Sequence, residues 1–332
     1  MSSNLSKFVF AFLMVCFMAQ PLTAEAPWGF FAHRRINELA VFTLPGDLFG
    51  FYKRHIDFIK EHAVDPDKRR YGVIGEAERH YIDIDHFCKD IPRCNPFNLM
   101  PRKWYDAVAK YSEDTLRAYG IVPWHIPMMQ DRLKRAFEEK NVERILRYSA
   151  EIGHYIADSH VPLHTTENYN GQLTNQKGIH GFWESRIPEL YSENWDFFVG
   201  EARYVDNPLE TAWGFVEVSH GGVDSVLSFE RELNETFDRD KKYSYEERGR
   251  VITNVYSEEY SRAYDQMLNG QIERRMRDAI LAVGSIWFTA WVDAGQPSLI
   301  ELSESELRQL SDSVKQELNV ESVPELRKRE HE

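Results

Sequence analysis

Five histidines and a set of potential oxygen ligands fall at spacings that a cluster of metal ions requires. The densest piece is His154-Tyr155-Ile156-Ala157-Asp158-Ser159-His160-Val161-Pro162-Leu163-His164, and His180-Gly181-Phe182-Trp183-Glu184 begins sixteen residues after His164. Upstream lie Trp28 with His33, and Asp65 with His80. Imidazole nitrogen mixed with carboxylate oxygen suits zinc, whereas magnesium and calcium prefer shells made of oxygen alone. Several zinc ions close together imply hydrolysis, most naturally of a phosphate ester.

His154 and Asp158 are four residues apart, so on a helix both project from one face. Pro162 then ends regular helix and allows His164 to turn back toward the same point. His180 and Glu184 repeat the four-residue step on a second helix. His80 opens the compact run His80-Tyr81-Ile82-Asp83-Ile84-Asp85-His86, and Asp65 precedes it by fifteen positions. Trp28 stands five residues before His33; as a ligand it would use its main-chain amine and carbonyl. His86, His125, His160 and His220 receive no metal role. The pairs Arg34-Arg35 and Arg69-Arg70 read as solvated charge, and Tyr81 and Phe182 as core.

The elements that position these residues are helical. Apolar periodicity predicts helices over 33–44, 48–62, 102–118, 128–139 and 141–158. A longer one is expected from Glu246 to Val292, stopped by Asp293-Ala294-Gly295-Gln296-Pro297. Alternating strand patterns are few and there is no glycine-rich phosphate loop. The expected fold class is all-α. No Pro/Gly/Ser linker or internal repeat divides the chain, so residues 27–300 read as one domain around the site, with 301–332 a charged helix and tail.

The chain has 332 residues, 42% hydrophobic and 28% charged, as ordinary globular proteins do. A net charge of −13 argues against tight, sequence-independent binding to duplex nucleic acid. Metal ions can nevertheless supply positive charge locally at a phosphate. Lys7, the apolar run Phe8 to Ala19 and Ala24-Glu25-Ala26 read as an export signal over residues 1–26, too short for a comfortable membrane span. The expected location is therefore periplasmic or secreted. There Cys88 and Cys94 can either close a small disulfide loop or remain free thiols.

The ordered combination of motifs over residues 28–184 resembles the superfamily of zinc-dependent phospholipases C and zinc single-strand nucleases, the nuclease S-one and P-one group. That resemblance implies an all-helical fold around two or three Zn²⁺ ions. It implies that His80, His154, Asp65 and Asp158 hold one ion, and His164, His180 and Glu184 a second. Trp28, His33 and the other oxygen of Asp158 would hold the third. Asp65 would also orient the attacking water, and Lys68, three residues on, would contact the phosphate. The chain departs from the family in having Pro27 before the tryptophan. It also lacks the nucleases' paired-glycine loop, for whose asparagine Asn168, Asn170 and Asn175 are three candidates.

The resulting expectation is hydrolysis of a phosphodiester by metal-bound hydroxide. The Trp28–His33 and Asp65–His80 steps and Lys68 favour single-stranded nucleic acid as substrate. Single-stranded nucleic acid is therefore the expected substrate, and Glu184 as the last ligand with the acidic charge makes phospholipase C-type cleavage of phospholipid head groups the alternative. A non-catalytic exported zinc-binding protein is the alternative of a different class, and a binding module built on the C-terminal helices is another. No obligate protein partner is implied.

Overall fold

The helix Val142–Ser159 runs through the centre of the molecule, and every residue from Ser149 to Ser159 on it is buried. Asn141 starts it: the side-chain oxygen accepts from the Arg144 N–H at 3.0 Å, a cap contributing about 1 kcal/mol. A helix lying against solvent keeps one polar face. The last three turns here keep none, so the polar residues among them must find partners inside the protein.

The computed structural model describes residues 29–248 and 251–299. Their architecture is all-α: helices dominate, and the only sheet among the described residues is one antiparallel hairpin, Tyr243–Arg248 with Val251–Tyr256. The proposed export signal, Trp28 and the proposed C-terminal tail lie outside the described residues.

Three helices enclose the central one. Val122–Glu138 precedes it and returns through the short turn 139–141. Phe30–Ala40 approaches so closely that a Cβ on Gly153 would sit 2.0 Å from Asn37 Oδ1. Glycine is therefore required there, and Asn37 Nδ2 uses the close approach to donate to Ala150 O at 3.0 Å. The long helix Gln271–Asp293 contributes Trp287, fully buried, stacked on Tyr52 at 4.8 Å and donating Nε1–H to Ser149 O at 3.0 Å. A second, smaller core joins Leu163, Ile179 and Phe182 to Val226, Tyr260 and Tyr264. The candidate ligands lie on the segments that pass between the two cores.

The helices expected from periodicity are present, with breaks that the pattern hides. The 102–118 stretch divides at Ser112, whose φ of 70° ends one helix while its hydroxyl caps the next by accepting from Thr115 N–H. The 48–62 stretch divides at His55. The larger correction concerns Glu246 to Val292, which is three elements rather than one helix. Strand Val251–Tyr256 pairs with Tyr243–Arg248 in the hairpin, as its β-branched and aromatic run Val251-Ile252-Thr253-Asn254-Val255-Tyr256 favours. Helix Glu258–Leu268 follows, then Asn269 and Gly270, both left-handed, before Gln271–Asp293 begins. Cys88 and Cys94 are joined by a disulfide.

Candidate metal centre

The central helix delivers His154 and Asp158, and His160 to Val161 turn the chain so that Pro162–Thr165 carries His164 back beside them. His180 follows on the short turn Ile179–Gly181, and Glu184 on a single π-helical turn, Phe182–Arg186. Such wide turns cluster at functional sites because they re-aim side chains. Here the result is a 2.9 Å contact between His180 Nε2 and Glu184 Oε2. Helix Phe30–Ala40 adds His33, and a Cβ on Gly29 just before it would lie 2.8 Å from Glu184 Oε1. The start of the described chain is thus pressed against the site.

Backbone carbonyls fix which nitrogen of each histidine faces inward. His154 Nδ1 lies 2.8 Å from Ala63 O, His164 Nδ1 2.6 Å from His80 O, and His180 Nδ1 3.0 Å from Tyr169 O. A carbonyl only accepts, so each Nδ1 carries a proton and Nε2 is the nitrogen turned toward the centre, where it offers a lone pair once deprotonated. This is how metal-binding histidines are held. The Nε2 atoms of His164 and His180 face each other at 3.2 Å, with Glu184 Oε2 3.3 Å and 2.9 Å away. Two lone pairs and a carboxylate oxygen at that separation repel unless a proton or a metal ion lies among them.

The second group gathers on the other side of Asp158. His80 Nδ1 is 2.9 Å from Asp158 Oδ2 and 3.0 Å from His154 Nε2. Asp67 Oδ1 stands 3.7 Å from His80 Nδ1 and 3.6 Å from His154 Nε2. Asp158 Oδ1 points the opposite way, 3.4 Å from His33 Nε2 and 3.8 Å from His164 Nε2. One carboxylate therefore spans the groups as a bridging ligand does. The donor atoms form three clusters, His33/His154/Asp158, Asp67/His80/His154 and His164/His180/Glu184. Zinc fits this set of imidazoles and carboxylates.

Among the described residues, three carboxylates here have only histidines as ion-pair partners. Buried charge without compensation is costly, and here the neighbouring histidines compensate the carboxylates. Burial opposes ionisation of Asp158 and Glu184, yet the surrounding histidines hold both well below the ordinary carboxylate range. Asp67 is held at about 2 against its burial, chiefly by His154 and His80. Burial would lower His154, but Asp158 and Asp67 raise it well above the usual imidazole value. His33 is pushed down to about 4, first by burial and then by His154. The pocket is built to receive positive charge.

Two sequence expectations need correction. Asp65 does not face the histidine cluster; its carboxylate is taken by His62 Nδ1 at 2.5 Å and Lys68 Nζ at 2.8 Å. Asp67, two residues later in the short helix Asp65–Arg69, occupies the position expected of it. Lys68 is bound to Asp65 and half exposed, so it makes no approach to the cluster. The same shift of two residues carries the expected cation from Lys68 to Arg70, which had read as solvated charge. Arg70 is 4% exposed, lines the cavity beside the cluster, and has no hydrogen-bond partner at Nε or Nη2. A sequence signal existed: moving the acid and the cation together preserves their three-residue step. Only the fifteen-residue spacing favoured the other register.

The remaining assignments divide cleanly. His33, His80, His154, Asp158, His164, His180 and Glu184 are brought together, and Trp28 lies outside the described residues. His86, His125, His160 and His220 stand apart from the clusters. Among the three asparagines, Asn170 supports the site: its Oδ1 accepts from the N–H groups of Gly178 and His180 at 2.9 and 3.4 Å.

A cavity of about 670 Å³ opens over the cluster. Phe30, Tyr71, Phe182 and Tyr256 give it apolar walls, the last from the hairpin. Arg186 tethers that hairpin, donating Nε–H to Tyr256 O at 3.1 Å and both terminal nitrogens to Glu246.

No protein family and no curated protein matches this sequence. Among solved structures, the alpha-toxin of Clostridium perfringens from an avian strain is similar at a TM-score of 0.46 and 11% identity, over 82% of this chain and 66% of the toxin chain. The chain thus spans just under two thirds of that toxin's length. Likeness at that level concerns the path of the chain alone, and the chemistry of the site rests on its own geometry.

Proposed function

We propose that this protein is an exported zinc-dependent hydrolase of phosphodiesters, with two or three Zn²⁺ ions held by the clustered residues. The observation that carries the reading is the pair of inward-facing Nε2 lone pairs on His164 and His180, closed by Glu184. When bound, the ions would supply Lewis acidity and lower the pKa of a water molecule to near neutrality. His80, His154, Asp67 and Asp158 would hold one part of the centre, and His164, His180 and Glu184 the other. His33 would complete a third position with Asp158, in which Trp28 is a further proposed ligand.

The chain's own groups account for the rest of the chemistry. Arg70 offers unpaired guanidinium N–H groups, suited to the non-bridging oxygens of a phosphate. Attack by water at phosphorus would break the bond to the leaving oxygen, which takes up the proton. A protein that merely stores metal needs neither an unpartnered buried guanidinium nor a cavity over the ions, so the non-catalytic alternative is disfavoured.

Phospholipid is the favoured substrate, cleaved to diacylglycerol and a phosphorylated head group. Of the features that favoured a nuclease, the Trp28–His33 step lies partly outside the described residues, and Asp65 and Lys68 are engaged with each other rather than with the cluster. The apolar walls of Phe30, Tyr71, Phe182 and Tyr256 suit a lipid's glycerol and acyl portions. Zinc-loaded protein incubated with phosphatidylcholine vesicles, and separately with single-stranded DNA, tests this. Chelator-sensitive release of diacylglycerol is expected. Release of nucleotides alone would overturn the substrate assignment, and inertness toward both would overturn the proposed activity.

A further inference from the structure

Of the five histidines of the centre, His33 and His80 have an outer ring nitrogen without a hydrogen-bond partner, and His80 alone turns Nδ1 inward. His154, His164 and His180 give Nδ1–H to neutral carbonyls and turn Nε2 inward. His80 is inverted: Nδ1 faces Asp158 and His154, while Nε2 points outward and has no hydrogen bond. The group it meets is a carboxylate, Glu76 Oε1, 3.7 Å away.

Glu76 is 0% exposed. Its Oε2 accepts from Arg69 Nε at 3.1 Å and Arg79 Nη1 at 2.9 Å, and Tyr155 O–H donates to Oε1. Burial would raise its pKa, but His80, Arg69 and Arg79 hold it well below the ordinary carboxylate range. Arg69 is shared with Glu151 at 2.7 Å, which Arg147 also meets at 3.2 Å, so two buried acids and three arginines form one network. For packing alone, apolar side chains of similar volume would serve as well as such an assembly, or better. What an apolar group cannot supply is negative charge beside the outer N–H of His80.

We propose that Glu76 is a positioning residue for the metal centre, fixing His80 in the Nε2–H tautomer and strengthening Nδ1 as a donor. A cation at Nδ1 increases the positive charge of the ring, and Glu76 is the anion that meets it. Carboxylates behind metal-bound histidines act in this way, and their loss weakens metal binding by about 10- to 100-fold. Arg69, Arg79 and Tyr155 keep the carboxylate ionised and aimed.

This inference rests on the metal reading above, and the test separates the two. Zinc affinity is measured by competition with a chromophoric chelator on wild type, Glu76→Gln and the core variant Trp287→Phe, with apoprotein melting recorded for each. Weaker zinc binding by about 10- to 100-fold in Glu76→Gln, but not in a comparably destabilised Trp287→Phe, is expected. Unchanged affinity in Glu76→Gln would overturn the role of Glu76 while leaving the metal centre intact. Absence of zinc binding by wild type would overturn both. Should Glu76→Gln fail to fold, nitrogen-15 NMR of the zinc-loaded wild type decides. His80 is expected as the Nε2–H tautomer beside Nδ1–H forms of His154, His164 and His180; an Nδ1–H form of His80 would refute the proposal.

Discussion

Replacing Asp67 by Asn and, separately, Asp65 by Asn distinguishes the two registers of the 65–70 segment. Asp67 Oδ1 lies within 3.7 Å of both His80 Nδ1 and His154 Nε2, so Asp67→Asn removes a charged donor from the centre. The loss should be no smaller than that seen for residues behind the ligands, about 100-fold in zinc affinity at the upper end. With free zinc at 100 times the wild-type dissociation constant, bound metal stabilises the protein by about 2.7 kcal/mol. A 100-fold weaker constant brings that difference to about 0.4 kcal/mol. The gap in melting temperature between zinc-loaded and chelator-treated protein should therefore nearly close in Asp67→Asn. Asp65 instead pairs with His62 and with Lys68, which is half exposed. Its loss should cost the apoprotein on the order of 1 kcal/mol and leave the metal-dependent gap unchanged. Calorimetry of both variants with and without zinc reads this directly. A collapsed gap in Asp65→Asn with a preserved gap in Asp67→Asn would refute the assignment.

Arg70→Leu should lower kcat/KM on a phosphodiester by roughly 10- to 150-fold, the equivalent of losing charge-assisted hydrogen bonds. Lys68→Gln should change it by less than about threefold, in keeping with an exposed ion pair; steady-state kinetics on the two variants decide. Gly153→Ala would place a Cβ 2.0 Å from Asn37 Oδ1 and should destabilise the protein by about 1–3 kcal/mol in urea unfolding. Adding Asn37→Ala should recover part of that loss. His160 is pushed down to about 3, chiefly by burial, although its Nδ1–H bond to Ile156 O works the other way. Between that value and the ordinary 6.5 the unfolded chain binds the extra proton, so stability rises with pH and is lost as pH falls below 6.5. In chelator-treated protein the loss from this group at pH 5 is about 2 kcal/mol, and His160→Asn should flatten that part of the curve.

Much of the clustering at the candidate site was legible because its residues occur in close pairs. His154 with Asp158 and His180 with Glu184 keep the four-residue step, and Pro162 returns His164 to them, so local spacing carries the geometry. Asp67 was not legible in the same way. It reaches His80 from thirteen residues away across loop and short helical turns, where sequence distance does not determine spatial distance. Arg70 reads as surface charge because a buried, unpaired guanidinium has no periodic signature. The all-α class followed from apolar periodicity, but the hairpin before Tyr256 was hidden. Its strands are short, and the charged run Glu246-Glu247-Arg248 within it reads equally as the exposed face of a helix. The break at Asn269-Gly270 was visible as a left-handed pair and is the local signal that the long helix should have stopped.

The most direct test of the central claim is X-ray anomalous scattering at the zinc edge from crystals grown with zinc. The account predicts one peak bounded by His164, His180 and Glu184, and another bounded by Asp67, His80, His154 and Asp158. Absence of zinc at both positions, in crystals that retain the described side-chain arrangement, would contradict it.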